Sequence, residues 1–100
     1  MAGDAVSIAP DIYKVLLEND RVRVLEIKTE PGGSSTEHSH PDMVLYAVTD
    51  CAWDLTGPDG ETVTAEIPAG GTIFMDATIH SAKDGRSTGT PMVAIAIELK

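Results

Sequence analysis

The chain predicts an all-β fold, a two-sheet jelly roll or an open barrel of about eight to eleven short strands. Three observations lead there. Turn-forming clusters recur about every eight to twelve residues, the spacing of sandwiches and barrels. Apolar periodicity near 3.6 residues fails throughout, and six prolines with nine glycines interrupt the chain too often for a long helix. With 100 residues and 42% hydrophobic content there is material for one core, so one domain over residues 1–100 is expected, its barrel spanning about 12–99.

The elements follow in order. Ile12 to Leu17 is a β-branched apolar run ended by Glu18-Asn19-Asp20, a tight-turn signal from which a hairpin can start. Arg21 to Thr29 begins in strict alternation and becomes apolar on both faces around Leu25, as a strand entering a packed sheet does, then stops at Pro31-Gly32-Gly33. Met43 to Thr49 is a continuous apolar run, and Cys51 to Thr56 alternates. Gly57-Pro58-Asp59-Gly60 separates that strand from Glu61 to Ile67, and the two should form a hairpin across it. Pro68-Ala69-Gly70-Gly71 precedes a strand from Thr72 to Asp76. His80 to Lys83 reads as a short strand before a polar loop from Asp84 to Thr90. In the last strand, Met92 to Lys100, Val93, Ile95, Ile97 and Leu99 share one face and Met92, Ala94, Ala96 and Glu98 the other. The small-residue face could line a cavity or pack against bulky neighbours.

Composition removes several classes of function. Sixteen Asp and Glu against seven Lys and Arg give a net charge of −9, a field that repels polyanions and disfavours both nucleic acid and anionic membranes. No window approaches the roughly 18–20 consecutive apolar residues of a membrane span. The N-terminal stretch has neither a basic start nor a long apolar run, and a lone cysteine cannot bridge within the chain, so a cytoplasmic location is expected. No dinucleotide or phosphate-loop motif is present, and no G-x-S-x-G turn supports a triad of Ser81, His80 and Asp84.

The chemistry is concentrated in the three histidines of the chain. Gly32-Gly33-Ser34-Ser35-Thr36-Glu37-His38-Ser39-His40-Pro41 is a glycine-rich turn entering an H-x-H pair. On an extended strand, residues i and i+2 share a face about 6.5–7 Å apart, so both imidazoles can point at one spot. Neutral imidazole is the commonest nitrogen ligand for divalent transition metals. Two ligands are half a site; His80, forty residues on, could complete it from a neighbouring strand.

From about Asp20 to Leu99 the chain resembles the cupin superfamily. Gly32, His38 and His40 match the first cupin motif at its spacing, and Gly60, Pro68, Gly70 and His80 fit the second, with Asp76 where many members have proline. The resemblance implies a small bacterial cytosolic cupin with a double-stranded β-helix of about eight to eleven strands. It also implies that His38, His40 and His80 hold one divalent transition metal, Fe, Mn, Ni or Zn. The chain departs from the pattern too. The motif glutamate belongs at position 44 or 45, where Val44 and Leu45 stand; Cys51 or Ala52 replaces the closing glycine, and Asp84 a frequent asparagine. The chain is therefore similar to the three-histidine cupins, whose neutral ligands leave positions open for water or a substrate oxygen. Some such cupins cleave β-diketones, which makes oxidative C–C cleavage of a small chelating metabolite one expected activity and metal-assisted hydrolysis another. The alternative is a non-catalytic metal or small-ligand binding module. Pairing into a homodimer through edge strands is a further expectation of the resemblance.

Other candidates are weaker. Glu26 shares its parity with Val22 and Val24, so the pleat puts it on an apolar face; if that face is interior, Glu26 is an acid or base beside the metal, and otherwise a bulge returns it to solvent. Glu37 and Asp42 flank the H-x-H and could orient an imidazole. Tyr46, Trp53, Phe74, Met75 and Met92 read as core, with a pocket wall as the alternative, and Cys51, without a neighbouring cation, as a small buried hydrophobe.

Overall fold

In a computed structural model, residues 3–86 and 89–100 are described; the loop expected from Asp84 to Thr90 includes residues 87 and 88, which lie outside them. The central Gly57–Gly60 turn organises the rest. Gly60 N–H donates to the Gly57 carbonyl across it (3.0 Å), and the chain folds back on itself from there. Strand β6 (Cys51–Thr56) pairs with β7 (Thr62–Ile67), β5 (Met43–Ala47) with β8 (Thr72–Met75), β4 (Ser34–His40) with β9 (Thr78–Asp84), and β3 (Val22–Thr29) with β10 (Met92–Leu99), all antiparallel. The Thr56↔Thr62, Cys51↔Ile67, Tyr46↔Thr72 and His38↔His80 registers all centre on residue 59.

Along each arm of this long hairpin, β3 to β6 and β7 to β10, successive strands alternate between two sheets, so it is wound into a jelly roll. One sheet runs β1-β4-β9-β6-β7, where β1 is Gly3–Asp4, and the other β2-β3-β10-β5-β8, where β2 is Tyr13–Glu18. The expected β2–β3 hairpin forms, with Asn19 Oδ1 accepting from the backbone N–H groups of Arg21 and Val22. The N-terminal segment, for which the sequence suggested no element, adds β1 parallel to β4 and a single helical turn, α1 (Ala5–Ile8).

The core lies between the sheets. Leu25 and Ile27 of β3, Met43 and Leu45 of β5, and Trp53 of β6 are buried, and Trp53 Nε1 donates to Thr29 Oγ1 at 3.1 Å, satisfying the indole across the core. On β10 it is the small face that turns inward: Ala94 stands opposite Ile27, and Ala96 lies between Leu25 and Leu45. Those alanines therefore accommodate bulky neighbours and do not line a cavity. Their bulky counterparts Val93, Ile95 and Ile97 lie half-buried on the outer face.

Candidate metal centre

The site begins at a turn. In Glu30-Pro31-Gly32-Gly33, proline fixes the second position and Gly32 takes the third at φ +73°, a conformation that glycine reaches without a Cβ penalty. Gly33 N–H donates to the Glu30 carbonyl at 2.7 Å. Asp84, at the end of β9, accepts from Gly32 N–H (3.0 Å) and donates its own N–H to the Gly33 carbonyl (2.9 Å), fastening the turn to the strand that carries His80.

Strand β4 then makes an irregularity that decides which way the histidines face. Ser35 pairs with Ala82 and His38 with His80, so three steps on β4 match two on β9. Ser35 is buried; unbroken alternation from it would point Glu37 and Ser39 inward and both histidines outward. The extra residue is a β-bulge that reverses the parity, so His38 and His40 enter the core and Glu37 stays exposed.

All three imidazoles are buried and converge. Their ring centroids are 4.7 Å (His38 to His40), 4.9 Å (His38 to His80) and 5.2 Å (His40 to His80) apart. One ligand nitrogen from each lies within 4.8 Å of the others, and among the described residues no other cluster of this kind is found. The three side chains can thus hold one ion, by an all-imidazole donor set of the kind that suits Zn, Cu, Fe and Ni.

Hydrogen bonds orient two of the rings. His38 Nδ1 faces the Thr36 carbonyl at 2.8 Å; a carbonyl only accepts, so Nδ1 carries the proton and Nε2 keeps its lone pair. The Tyr13 hydroxyl donates to that nitrogen at 3.2 Å. His40 Nδ1 lies 3.2 Å from Oε2 of Glu98, a buried carboxylate on β10. The electrostatics favour neutral rings at His80 and His38: burial and the two neighbouring imidazoles push His80 down to about 4, and burial lowers His38 as well. Burial holds the Tyr13 phenol well above its ordinary value, so it remains a proton donor.

His40 and His80 border a cavity walled by Tyr13, Met43, Leu45, Trp53 and Leu55, with Lys83 at its exposed side. Its volume is ≈ 30 Å³, room for about two waters at roughly 10–15 Å³ each.

The other candidates lie elsewhere. Glu26 is not brought to the site: Leu25 and Ile27 take the inner positions of β3, so Glu26 stands on the outer face between Lys14 and Ile95. The apolar face it shares with Val22 and Val24 is the outside of the sheet, since β3 is apolar on both faces. Asp42 accepts from Ala77 N–H and braces a loop (2.8 Å). Phe74 and Tyr46 are exposed, Met92 is core, and Met75 and Trp53 line the cavity. Cys51 is buried, its thiol donating to the Thr49 and Val93 carbonyls and raised by burial. Sequence reasoning missed Tyr13 and Glu98. Glu98 had left a trace, as the one charged residue on the small face of β10.

A two-sheet jelly roll that gathers three histidines from β4 and β9 at one end of its core defines a class, the double-stranded β-helix with a three-imidazole centre. Solved structures agree. A cupin domain from Bordetella pertussis is 30% identical, with 89% of this chain and 92% of that one covered and a TM-score of 0.79. The chain belongs to the cupin superfamily. The fold is shared more distantly by the polyketide cyclase RemF from Streptomyces resistomycificus (23% identity, 87% and 63% covered, TM-score 0.62) and by KdgF from a Halomonas species (19%, 87% and 76%, 0.59). No protein-family model and no curated protein matches the sequence.

Proposed function

We propose that this cupin is a metal-dependent enzyme that acts on a small metabolite bound through oxygen, with His38, His40 and His80 as ligands to one divalent Fe, Mn, Ni or Zn ion. The observation that carries the reading is the convergence of three buried imidazole nitrogens within 4.8 Å beside an apolar cavity. A divalent ion there would polarise a carbonyl or activate water, and a redox-active one would support oxidative C–C cleavage. The chain's own residues do the rest. Met43, Leu45 and Trp53 exclude bulk water, and the Tyr13 hydroxyl offers a proton-bearing donor to an oxygen that arrives beside His38.

The cavity, at ≈ 30 Å³, favours ligands of a few heavy atoms; a β-dicarbonyl would need the side chains at the open side to move. The same volume favours a second reading, a binding module for a metal and a water-sized ligand, without catalysis. The polyketide cyclase among the structural relatives is compatible with the enzymatic reading. We also infer a cytoplasmic protein working as one domain and as a homodimer. In place of the edge-strand pairing that the resemblance implies, the surface proposed for it is the outer face of the second sheet, where Leu17, Val24, Ile97, Val44 and Phe74 form an uncharged row across all five strands. A second copy would cover that row with its own apolar side chains.

Metal analysis of protein purified without chelators should find close to one transition metal per chain, and His80→Ala should lose it. Metal-free wild type that resists reloading would end the proposal. Oxygen consumption by Fe(II)-loaded protein with a panel of small chelating acids and dicarbonyls then separates the two readings. Silence with iron, manganese, nickel and zinc favours the binding module.

A further inference from the structure

We propose that Glu98 is a positioning residue of this centre. Its carboxylate, shared between Arg23 and His40, fixes which nitrogen of His40 is free for a metal, and through Arg23 it ties that ligand to the N-terminal strand at Asp4. The inference rests on the metal-binding reading above.

Glu98 belongs to the inward face of β10 with Met92, Ala94 and Ala96, and is only 1% exposed. A carboxylate at such a position is strongly unfavourable unless both oxygens are satisfied. They are, and by different partners. Oε1 accepts from Arg23 Nε (2.7 Å) and lies 2.6 Å from its Nη2, while Oε2 faces His40 Nδ1 at 3.2 Å. Glu98 is not among the side chains whose ligand atoms converge, and it reaches His40 at Nδ1, so its place is behind the histidine. A carboxylate paired with Arg23 accepts, so the proton between the two groups sits on His40 Nδ1, and the neutral ring then presents its Nε2 lone pair. The Thr36 carbonyl does the same for His38.

The arrangement closes on itself. The far side of the Arg23 guanidinium is held by Asp4, at 2.5 and 3.1 Å. Asp4 in turn pairs in β1 with Ser39, the residue between the two histidines. Asp4, Arg23 and Glu98 thus form one chain of ion pairs behind the imidazoles. Val44 and Leu45 leave the motif without its glutamate, and Glu98 supplies a carboxylate from another strand to the back of His40. Hydrogen-bonded carboxylates behind metal-bound histidines orient the ring and raise its basicity.

The test begins with metal-stripped wild type near pH 7.5, in which long-range ¹H–¹⁵N spectra report each tautomer. His40 should be protonated at Nδ1, and an Nε2-protonated His40 would overturn the inference whether or not the protein binds metal. In Glu98→Gln the amide oxygen satisfies Arg23 and leaves the NH₂ facing His40. The ring should then switch to the Nε2–H tautomer, and Co(II) and Zn(II) affinity should fall about 10–100-fold. Unchanged affinity and tautomer in this variant would refute the role. Should Glu98→Gln not fold, Asp4→Asn, at a half-exposed position, loosens only the outer link and should weaken Co(II) binding about two- to five-fold, on the lower side of such outer-shell effects. Equal Co(II) binding by that variant would refute the link to the N-terminal strand. Failure of wild type to bind either metal, with the tautomers as stated, would instead count against the proposed function.

Discussion

Acidifying the metal-stripped protein should unfold it early, and the size of the effect follows from the cavity. The chain has three histidines and all three face one another in the core. Burial and its two imidazole neighbours hold His80 down to about 4, against roughly 6.5 in an unfolded chain. The unfolded state therefore takes up a proton that the folded state resists. Stability from this group is complete above pH 6.5 and is lost as the pH falls toward 4. One such group costs about 2 kcal/mol by pH 5 and about 3 kcal/mol by pH 4, and His38, lowered in the same direction, adds to it. At about 4–8 °C per kcal/mol for a domain of this size, Tm should drop by roughly 10 °C between pH 7 and 5. Urea melts in EDTA at half-unit pH steps would measure it, with an unchanged m-value showing that only stability moved. Asp4, held down mainly by Arg23, also loses stability in acid, but in the carboxylate range below about pH 4.5, and so falls outside the window. A midpoint that stays flat or rises from pH 7 to 5 would refute the account of His38 and His80 as imidazoles kept neutral by burial.

Two further perturbations address the fold and its outer surface. Leu25→Ala removes a fully buried side chain between the sheets and should cost about 2–5 kcal/mol, read as a lower urea midpoint; a loss under about 1 kcal/mol would mean the core collapses to fill the space. Phe74→Glu places a charge on the outer row of β8 and should shift the light-scattering mass from two chains to one with little change in metal content, whereas a wild type that is already monomeric would remove the pairing proposal.

Much of the fold was legible because its signals are local. Alternation in Arg21 to Thr29 and in Met92 to Lys100, together with the turn clusters between strands, marks elements that the structure contains to within a few residues. The meeting of the histidines was nearly legible as well. Once Gly57–Gly60 is read as the turn about which the chain folds back, His38 and His80 stand at equal distances on either side of Asp59 and fall into register. The segment before Ile12 carries too little apolar periodicity to declare itself, and β1 exists because β4 offers it an edge. The side taken by Glu26 stayed open in the sequence for another reason: a strand apolar on both faces does not reveal which one is inside.

By itself, the sequence determined the strands, the central turn and a donor set of three imidazoles, since residue type, alternation and turn chemistry act over a few positions. Only the tertiary structure decided the rest. A one-residue bulge in β4 turned His38 and His40 inward. The pairing of β10 with both β3 and β5 buried Glu98 between Arg23 and His40, and the β2–β3 pairing brought Tyr13 to His38. These depend on register between segments up to 75 residues apart, as Arg23 and Glu98 are, and register is set by the packing of the whole core.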